Sequence, residues 1–316
     1  MSKGVLYVVA TPIGNLDDLS RRAVKVLSTV DLIAAEDTRH TRPLLRHYGI
    51  ATPMMAFHEH NEREAMERLL QRLAQGEQVA LVSDAGTPLI SDPGFPLVRE
   101  ARQRGIEVVA VPGPSAAIAA LSVAGLPTDR FLFAGFPPRQ GAQRRHWLEA
   151  LLKETATLVF YESSHRIKAS LADMAAVFGS ERQAVIAREL TKLHETVLSG
   201  SLSSLIEQVE ADANQRKGEF VLLLAGAEPV NVTDSGADAE RILRVLVGEL
   251  PLKQAAALTA KITGLKKMRS ISRRWHGRLI AEAGKATRER AIQALSHCQL
   301  SVSPRSGVRS VWWSWE

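Results

Sequence analysis

Three short segments rich in proline, glycine and small residues each follow an apolar run, an arrangement suited to binding a flat ligand. Thr11–Asn15 follows the first run, Ser83–Pro88 follows another with Ser91–Gly94 close behind, and Pro112–Ala116 follows a third. Glycine and alanine let a ligand approach the backbone closely, and proline fixes the shape of a loop. Each segment alone is explained equally well as a tight turn, but three in one domain indicate a shared ligand site.

Acidic and histidine side chains in the same half of the sequence are candidates for proton transfer. Glu36 and Asp37 end a buried apolar run, and a carboxylate or a neutral imidazole can accept a proton from a hydroxyl group. A helix N-cap, or an ion pair with Arg39 or Arg42, explains these two carboxylates equally well. No residue stands out as the only base, and the candidates are Glu36, Asp37 and His58, followed by His40, Glu59 and His60.

The common nucleotide-binding and metal-binding patterns are absent from the sequence. It contains neither Gly-x-Gly-x-x-Gly after the first apolar run nor Gly-x-x-x-x-Gly-Lys-Ser/Thr, which disfavours a dinucleotide dehydrogenase and a P-loop nucleotidase. His58 and His60 have a spacing possible for zinc ligands, but nothing completes a set. We therefore expect no metal site.

Charge is distributed unevenly along the 316 residues, whose net charge is +6. The whole excess lies in residues 268–316, so a globally basic nucleic-acid binder is not indicated, and an acidic partner must be met by local clusters. The single cysteine, Cys298, excludes an internal disulfide and fits a reducing compartment. No apolar stretch is long enough to span a membrane, and the first residues lack the pattern of a signal peptide. We expect a cytoplasmic protein without membrane association.

The periodicity alternates between apolar strands and amphipathic helices, which predicts a largely parallel sheet covered on both faces. We expect an N-terminal α/β domain (residues 1–126), a C-terminal α/β domain (127–227), a linker with a small helical segment (228–267) and an atypical tail (268–316). The predicted elements include a helix over Leu16–Val30, an extended stretch or hairpin over Lys192–Ser199 and a polar linker over Ala227–Ala237.

The motifs "EDTRHT", "SDAGTPLISDPG" and "VPGPSA" carry a resemblance. With "FLFAGFPPR", "FYESSHRI" and "KGEFVLLLAG", the sequence resembles the tetrapyrrole-methylase-like superfamily of S-adenosylmethionine-dependent methyltransferases over about residues 3–267. Within it, the sequence is most similar to bacterial enzymes that 2'-O-methylate a cytidine of 16S ribosomal RNA. The resemblance ends after Lys267, and the abrupt loss of pattern suggests a dispensable extension.

The resemblance implies a two-domain, class III methyltransferase fold with the cofactor in a cleft between two α/β domains, usually as a homodimer. It implies S-adenosylmethionine as the cofactor and RNA of the small ribosomal subunit as the partner. The implied cofactor-binding residues are Pro12, Asp84, Ala85, Gly86, Thr87, Ser115, Ala116, Tyr161, Lys217 and Gly218.

RNA binding requires local positive charge, because phosphate contacts position the nucleic acid. Arginine clusters offer that charge, although a solvated helix face explains any single arginine equally well. The candidate RNA contacts are Arg39, Arg42, Arg46, Arg139, Arg144 and Arg145, with Arg166 and Lys168 as a third group.

Two other functions remain open on the sequence. Relatives in the wider superfamily methylate corrin precursors, so a small tetrapyrrole-like substrate is one alternative. A non-catalytic RNA-binding module is the other, although the intact "SDAGTP" and "PGPSA" loops argue against it.

Overall fold

The structure is a computed structural model that describes residues 4–58, 61–228 and 235–263. Contacts divide the chain into two units, Met1–Glu228 and Pro229–Glu316. The first unit contains two five-stranded sheets. The expected tail at 268–316, together with Glu59 and His60, lies outside the described residues.

The first sheet is parallel and covered on both faces, which confirms the expectation from the sequence. Its strand order is β3-β2-β4-β1-β5. Alternate residues of the central strands face opposite cores, so that Leu32 and Leu81 pack with two helices on one side, and Ile33 and Val82 pack with two on the other. The elements are β1 (Val5–Val9), α1 (Arg21–Thr29), β2 (Leu32–Ala35), α2 (Thr38–His47), β3 (Met54–Ala56), α3 (Glu62–Ala74), β4 (Val79–Val82), α4 (Phe95–Gln103), β5 (Glu107–Val111) and α5 (Ala116–Val123).

The second sheet is mixed, with strand order β6-β7-β10-β8-β9. Only β6 and β7 pair in parallel, and the other neighbours are antiparallel. One face packs on three helices of its own, and the other packs on α5 through Val159, Val221 and Leu223. The elements are β6 (Phe131–Gly135), α6 (Gly141–Glu149), β7 (Thr157–Ser163), α7 (Ile167–Phe178), β8 (Gln183–Arg188), β9 (Thr196–Ser201), α8 (Leu202–Ala211) and β10 (Glu219–Leu224).

Two predicted elements of the first unit were wrong in their extent. The helix expected over Leu16–Val30 is broken, because Asn15 caps a short 3-10 helix at Leu16–Asp18 and Ser20 caps α1. The Ser20 hydroxyl accepts a hydrogen bond from the Ala23 amide at 3.1 Å, which fixes a new helix start. The extended stretch expected over Lys192–Ser199 is a strand only from Thr196, where β9 pairs with β8.

The second unit contributes two described helices, α9 (Ser235–Glu249) and α10 (Leu252–Thr263). The polar linker expected to reach Ala237 is therefore too long, since α9 begins at Ser235. Leu243 and Ala255 are buried where the helices pack. No described helix has both the length and the apolar character that crossing a membrane requires.

Candidate active site

The three loops singled out in the sequence meet at one edge of the first sheet. Strands β4, β1 and β5 are neighbours, so the loops after them lie side by side at the carboxyl ends of parallel strands. Thr11 pairs with Gly86 in an isolated bridge, and the Thr87 hydroxyl donates a hydrogen bond to the Pro114 carbonyl at 3.0 Å. Side-chain and backbone hydrogen bonds thus join loops that are far apart in the sequence.

A cleft of about 460 Å³ opens between these loops and the second sheet. Of the residues expected to contact the cofactor, its lining includes Asp84, Ala85, Gly86, Thr87, Ser115, Ala116, Tyr161 and Gly218. The described lining includes neither Pro12 nor Lys217, although their neighbours Ile13 and Gly218 belong to it. The Lys217 carbonyl instead accepts a 2.6 Å hydrogen bond from buried Arg188. The ammonium group of Lys217 donates a hydrogen bond to the Asn214 side chain.

Glycine at position 218 is required by the shape of the far wall. Gly218 has φ +96°, and a Cβ atom there would lie 2.5 Å from the side chain of Glu189. That carboxylate accepts hydrogen bonds from the Glu219 amide and the Lys192 ammonium, each at 2.9 Å. Burial alone would raise the pKa of Glu189, but these hydrogen bonds outweigh burial and lower it. Glu189 therefore stays ionised within a fixed wall.

Asp92 lines the cleft and was not among the site residues expected from the sequence, although it lies within the motif "SDAGTPLISDPG". Its Oδ2 atom is buried and has no hydrogen-bond partner among the described residues. Burial raises the pKa of Asp92 to about 6, and the nearby Glu36 carboxylate adds to this while a hydrogen bond from Ser83 opposes it. A buried carboxylate oxygen without a partner is costly, and it favours a cationic or hydrogen-bond-donating ligand.

The three main base candidates occupy different positions. Glu36 lines the cleft, and its Oε2 accepts a 3.3 Å hydrogen bond from the Asp84 amide. Asp37 caps α2 and binds the Arg39 guanidinium at 2.7 Å, and these hydrogen bonds hold the pKa of Asp37 well below its usual range. Asp37 is thus a poor base. It instead caps the helix and pairs with Arg39, which was the alternative role considered in the sequence analysis. His58 is outside the cleft lining, and its backbone amide donates to Asn61.

His40, a further base candidate from the sequence, pairs with Asp84 of the cleft lining, although His40 itself is not in that lining. The His40 Nδ1 atom lies 3.0 Å from Asp84 Oδ2, while Asp84 Oδ1 accepts the Asp37 amide at 3.0 Å. The hydrogen bond to Asp84 raises the pKa of His40, Asp37 adds to this, and Arg39 and desolvation oppose it. Because Asp84 lines the cleft, this arrangement holds an imidazole beside it.

The first arginine cluster lies on one exposed face of α2. Arg39, Arg42 and Arg46 recur at helical spacing, and each side chain is exposed. Arg39 is paired with Asp37 but remains 88% exposed. This face is available to a polyanion.

Only part of the second arginine cluster, which consists of Arg139, Arg144 and Arg145, lies on the surface. Arg144 is buried, and its guanidinium binds Asp173 at 2.6 Å and donates to the carbonyls of Pro138 and Arg139. The RNA contact expected for Arg144 is therefore wrong, because a buried, fully engaged guanidinium cannot reach a phosphate. Arg139 and Arg145 are exposed, although Arg145 also binds Asp173 at 2.8 Å. In the third group, Arg166 binds buried Glu162 and Lys168 pairs with Glu210.

The described residues contain no group of three or more histidine, cysteine or acidic side chains arranged to hold a metal ion. The cleft lining carries carboxylates, hydroxyl groups, the Tyr161 phenol and the Lys192 ammonium, and His40 lies beside it, paired with Asp84.

Two α/β halves joined around one cleft, with loops from three adjacent parallel strands, define a two-sheet α/β enzyme. Residues 5–206 match the tetrapyrrole (corrin/porphyrin) methylases, and residues 233–269 match an RsmI C-terminal HTH domain. The chain belongs to the tetrapyrrole methylase family and is a methyltransferase. For the region of the second match, the sequence had predicted only a linker with a small helical segment.

Curated relatives extend the similarity over most of the chain. A ribosomal RNA small subunit methyltransferase I of Pseudomonas aeruginosa is 59% identical over 268 residues, which is 84% of this chain and 95% of that protein. One of the same name from Escherichia coli O157:H7 is 54% identical over 266 residues, or 84% of this chain and 93% of that protein.

Solved structures share the fold at lower identity. Uroporphyrin-III-C-methyltransferase from Thermus thermophilus matches with a TM-score of 0.52 and 21% identity, covering 71% of this chain and 94% of that one. Diphthine synthase matches with a TM-score of 0.53 and 16% identity, covering 70% and 90%. These similarities support the fold alone.

Proposed function

We propose that the protein transfers a methyl group from S-adenosylmethionine to the 2'-hydroxyl of a cytidine in 16S ribosomal RNA of the small subunit. The observation that carries this proposal is the acid-lined cleft bounded by three joined loops. The names of the relatives, which describe methyltransferases of small-subunit ribosomal RNA, support the choice of substrate. The cytidine and its 2'-hydroxyl follow from the sequence resemblance.

The lining of the cleft fits S-adenosylmethionine, which when bound supplies a methyl group on a positively charged sulfur. Asp92 presents a buried oxygen without a described partner, and Glu36 lies in the same lining, so the cleft attracts a cation and repels a phosphate. Ala85, Gly86 and Ala116 expose backbone to a flat nucleoside. We restrict the proposed cofactor contacts to lining residues, which leaves out Pro12 and Lys217 and adds Asp92.

The chain also has to orient the ribose hydroxyl and take up its proton. Asp84 holds Nδ1 of His40 at 3.0 Å, and an imidazole that donates from Nδ1 leaves Nε2 able to accept a proton. Among the candidate bases, His40 is therefore preferred to Asp37, whose carboxylate is bound to Arg39. A positioned base contributes roughly 10²–10⁴-fold to a rate.

The exposed face of α2 is the proposed RNA surface nearest to this pair, since His40 belongs to the same helix. Arg39, Arg42 and Arg46 supply phosphate contacts there, and Arg139 and Arg145 supply further ones at the second sheet. Few contacts of this kind give weak binding to free RNA, so we place the reaction on an assembled small ribosomal subunit in the cytoplasm.

A homodimer is the proposed assembly. Ile118 and Val123 of α5, and Phe131 and Leu132 of the edge strand β6, are exposed apolar side chains in neighbouring segments of the chain. Contiguous exposed apolar surface marks sites of protein–protein contact, so we propose these two segments as the subunit interface.

The test is methyl transfer from labelled S-adenosylmethionine to small ribosomal subunits that lack native modification, with mapping of the labelled nucleotide. Asp84→Arg blocks the cleft with a long cationic side chain, and Asp17→Arg makes the same charge reversal at an exposed position outside the lining. We expect label on a cytidine ribose, its loss in Asp84→Arg and its retention in Asp17→Arg.

Label on a base rather than a ribose would overturn the 2'-O assignment. Saturable S-adenosylmethionine binding without transfer to any subunit would overturn the RNA substrate and favour a small-molecule acceptor. Failure to bind S-adenosylmethionine at all would overturn the proposed function as a whole.

A further inference from the structure

Phe136 is an exposed aromatic residue in the lining of the cleft. It follows β6 directly, its side chain is 55% exposed, and it belongs to the same cavity as Asp84 and Ala116. A large apolar ring left in water forgoes the stabilisation that burial would give. An exposed ring in a ligand cleft is therefore a candidate contact for something that arrives there.

The backbone around Phe136 is held by two internal arginines. Arg166 donates to the Pro137 carbonyl at 3.0 Å, and Arg144 donates to the carbonyls of Pro138 and Arg139, each at 3.2 Å. Two prolines restrict the same segment further. The loop is thus fixed before any ligand binds.

Each arginine is itself anchored by a buried carboxylate. Glu162 accepts from Arg166 at 2.7 Å and from the Ser170 hydroxyl, and Asp173 accepts from Arg144 at 2.7 Å. Removing either carboxylate would leave its guanidinium without a charge partner, so each pair holds the arginine that fixes this loop.

The ring of Phe136 contacts the ring of Tyr161, and 55% of the residue remains exposed. Its centroid lies 5.5 Å from that of Tyr161 in an edge-type contact at 64°, and Tyr161 rests in the same way on Phe133 at 4.9 Å. Edge-type aromatic contacts orient a ring, and the exposed part of Phe136 is open to a further stacking partner. Gly135, with φ +69°, lets the chain turn at the end of β6 so that the ring reaches the cleft.

From this geometry we infer that Phe136 is the stacking platform for the base of the acceptor nucleotide, an inference that rests on the proposed function. A ribose presented to the cleft leaves its base at the mouth, and unstacked bases of single-stranded RNA bind by stacking on aromatic side chains. Exposed Arg139 and Arg145 follow Phe136 closely in the chain and supply charge for the adjoining phosphates. Phe136 thereby orients the acceptor and selects an extruded nucleotide over a paired one.

The test compares Phe136→Ala, Phe136→Leu and Phe136→Tyr in two measurements, S-adenosylmethionine affinity by calorimetry and the KM for small ribosomal subunits. Phe95→Ala is the control, because Phe95 is a 64% exposed phenylalanine outside the cleft lining. Loss of one base stack raises KM by about tenfold or more. We expect that increase in the Ala and Leu variants, near-normal KM in the Tyr variant, and unchanged cofactor affinity in all.

Three results would overturn the inference. A loss of S-adenosylmethionine affinity in Phe136→Ala would make the ring a cofactor contact. A normal KM in both Phe136→Ala and Phe136→Leu, with active wild-type protein, would remove the stacking role and leave the proposed function intact. Wild-type protein that binds the cofactor but never methylates subunits would overturn the proposed function and this inference together.

Discussion

Thr11 and Gly86 exchange two backbone hydrogen bonds, of 2.8 Å and 3.1 Å, although 75 residues separate them. The Thr11 hydroxyl adds a 3.1 Å hydrogen bond to the Ser83 carbonyl. These contacts make one wall of the cleft from the loops after β1 and β4. The start of the turn at Thr11–Asn15 therefore fixes the position of the loop after β4, and Ile13 of the same turn lines the cleft.

Gly86→Ala is predicted to weaken S-adenosylmethionine binding and to lower the free energy of unfolding by about 1–2 kcal/mol. Gly86 has φ +83°, a backbone conformation that disfavours a Cβ atom. Gly125→Ala is the control, since Gly125 has φ +66° and no described atom within 4 Å of an added Cβ. Calorimetry and thermal unfolding should give both variants a similar stability loss, but only Gly86→Ala reduced affinity. Equal affinities would contradict the role of this wall.

Asp92→Asn is predicted to weaken S-adenosylmethionine binding by roughly tenfold or more, the size of a charge-assisted hydrogen bond. The pKa of Asp92 is about 6, so its carboxyl is protonated below that pH and ionised above it. Because a cationic ligand favours the ionised form, wild-type affinity should rise with pH through about 6. S-adenosylmethionine affinity measured between acidic and neutral pH should depend less on pH in Asp92→Asn than in the wild type. Asp17→Asn should show the wild-type pH dependence. A parallel pH dependence in Asp92→Asn would exclude Asp92 as its source.

His40→Ala is predicted to lower kcat by roughly 10²-fold and to leave S-adenosylmethionine affinity unchanged. The wild-type rate should rise with pH as His40 loses its proton, and this rise should be shifted upward from the ordinary pKa of histidine because the hydrogen bond to Asp84 raises the pKa of His40. A pH–rate profile of His40→Ala should lack that limb. His146→Ala, which removes a 90% exposed histidine on α6, provides the control. A pH–rate profile of His40→Ala identical to that of the wild type would contradict the role of His40 as proton acceptor.

Asp173→Ala is predicted to destabilise the fold by about 3–5 kcal/mol, because it leaves the buried guanidinium of Arg144 without its carboxylate. Arg145→Ala should cost less than about 1 kcal/mol, since its side chain is 49% exposed. Burial would raise the pKa of Asp173, but hydrogen bonds from Arg145 and Arg144 outweigh it and lower the pKa. This contribution to stability is therefore present above the pKa of an unfolded aspartate and is lost in acid. Denaturant unfolding of both variants checks the difference, and equal losses would contradict it.

Much of the fold was predictable because it is encoded locally. Uninterrupted apolar runs identified β2 and β4, and Pro/Gly segments identified the loops that follow β1, β4 and β5. The break before α1 was missed, since apolar periodicity continues through Leu19 and only the Ser20 cap divides the helix.

The site was less predictable, because its chemistry depends on partners distant in sequence. Arg144 has the charge of an RNA contact, yet Asp173, 29 residues away, fixes it in the interior. Asp92 and Phe136 became candidates only because Asp92 has a buried oxygen and Phe136 has an exposed ring, which residue type alone does not reveal.

Helix α5 belongs to the first half by sequence but packs on the second sheet. Ala117, Ala120 and Leu121 are buried against Val159 and Leu223. Severing the chain near residue 126 would strip that sheet of the cover on one face and expose a continuous apolar surface to water. The two halves consequently share one apolar core, and we expect either half to lose stability when it is expressed without the other.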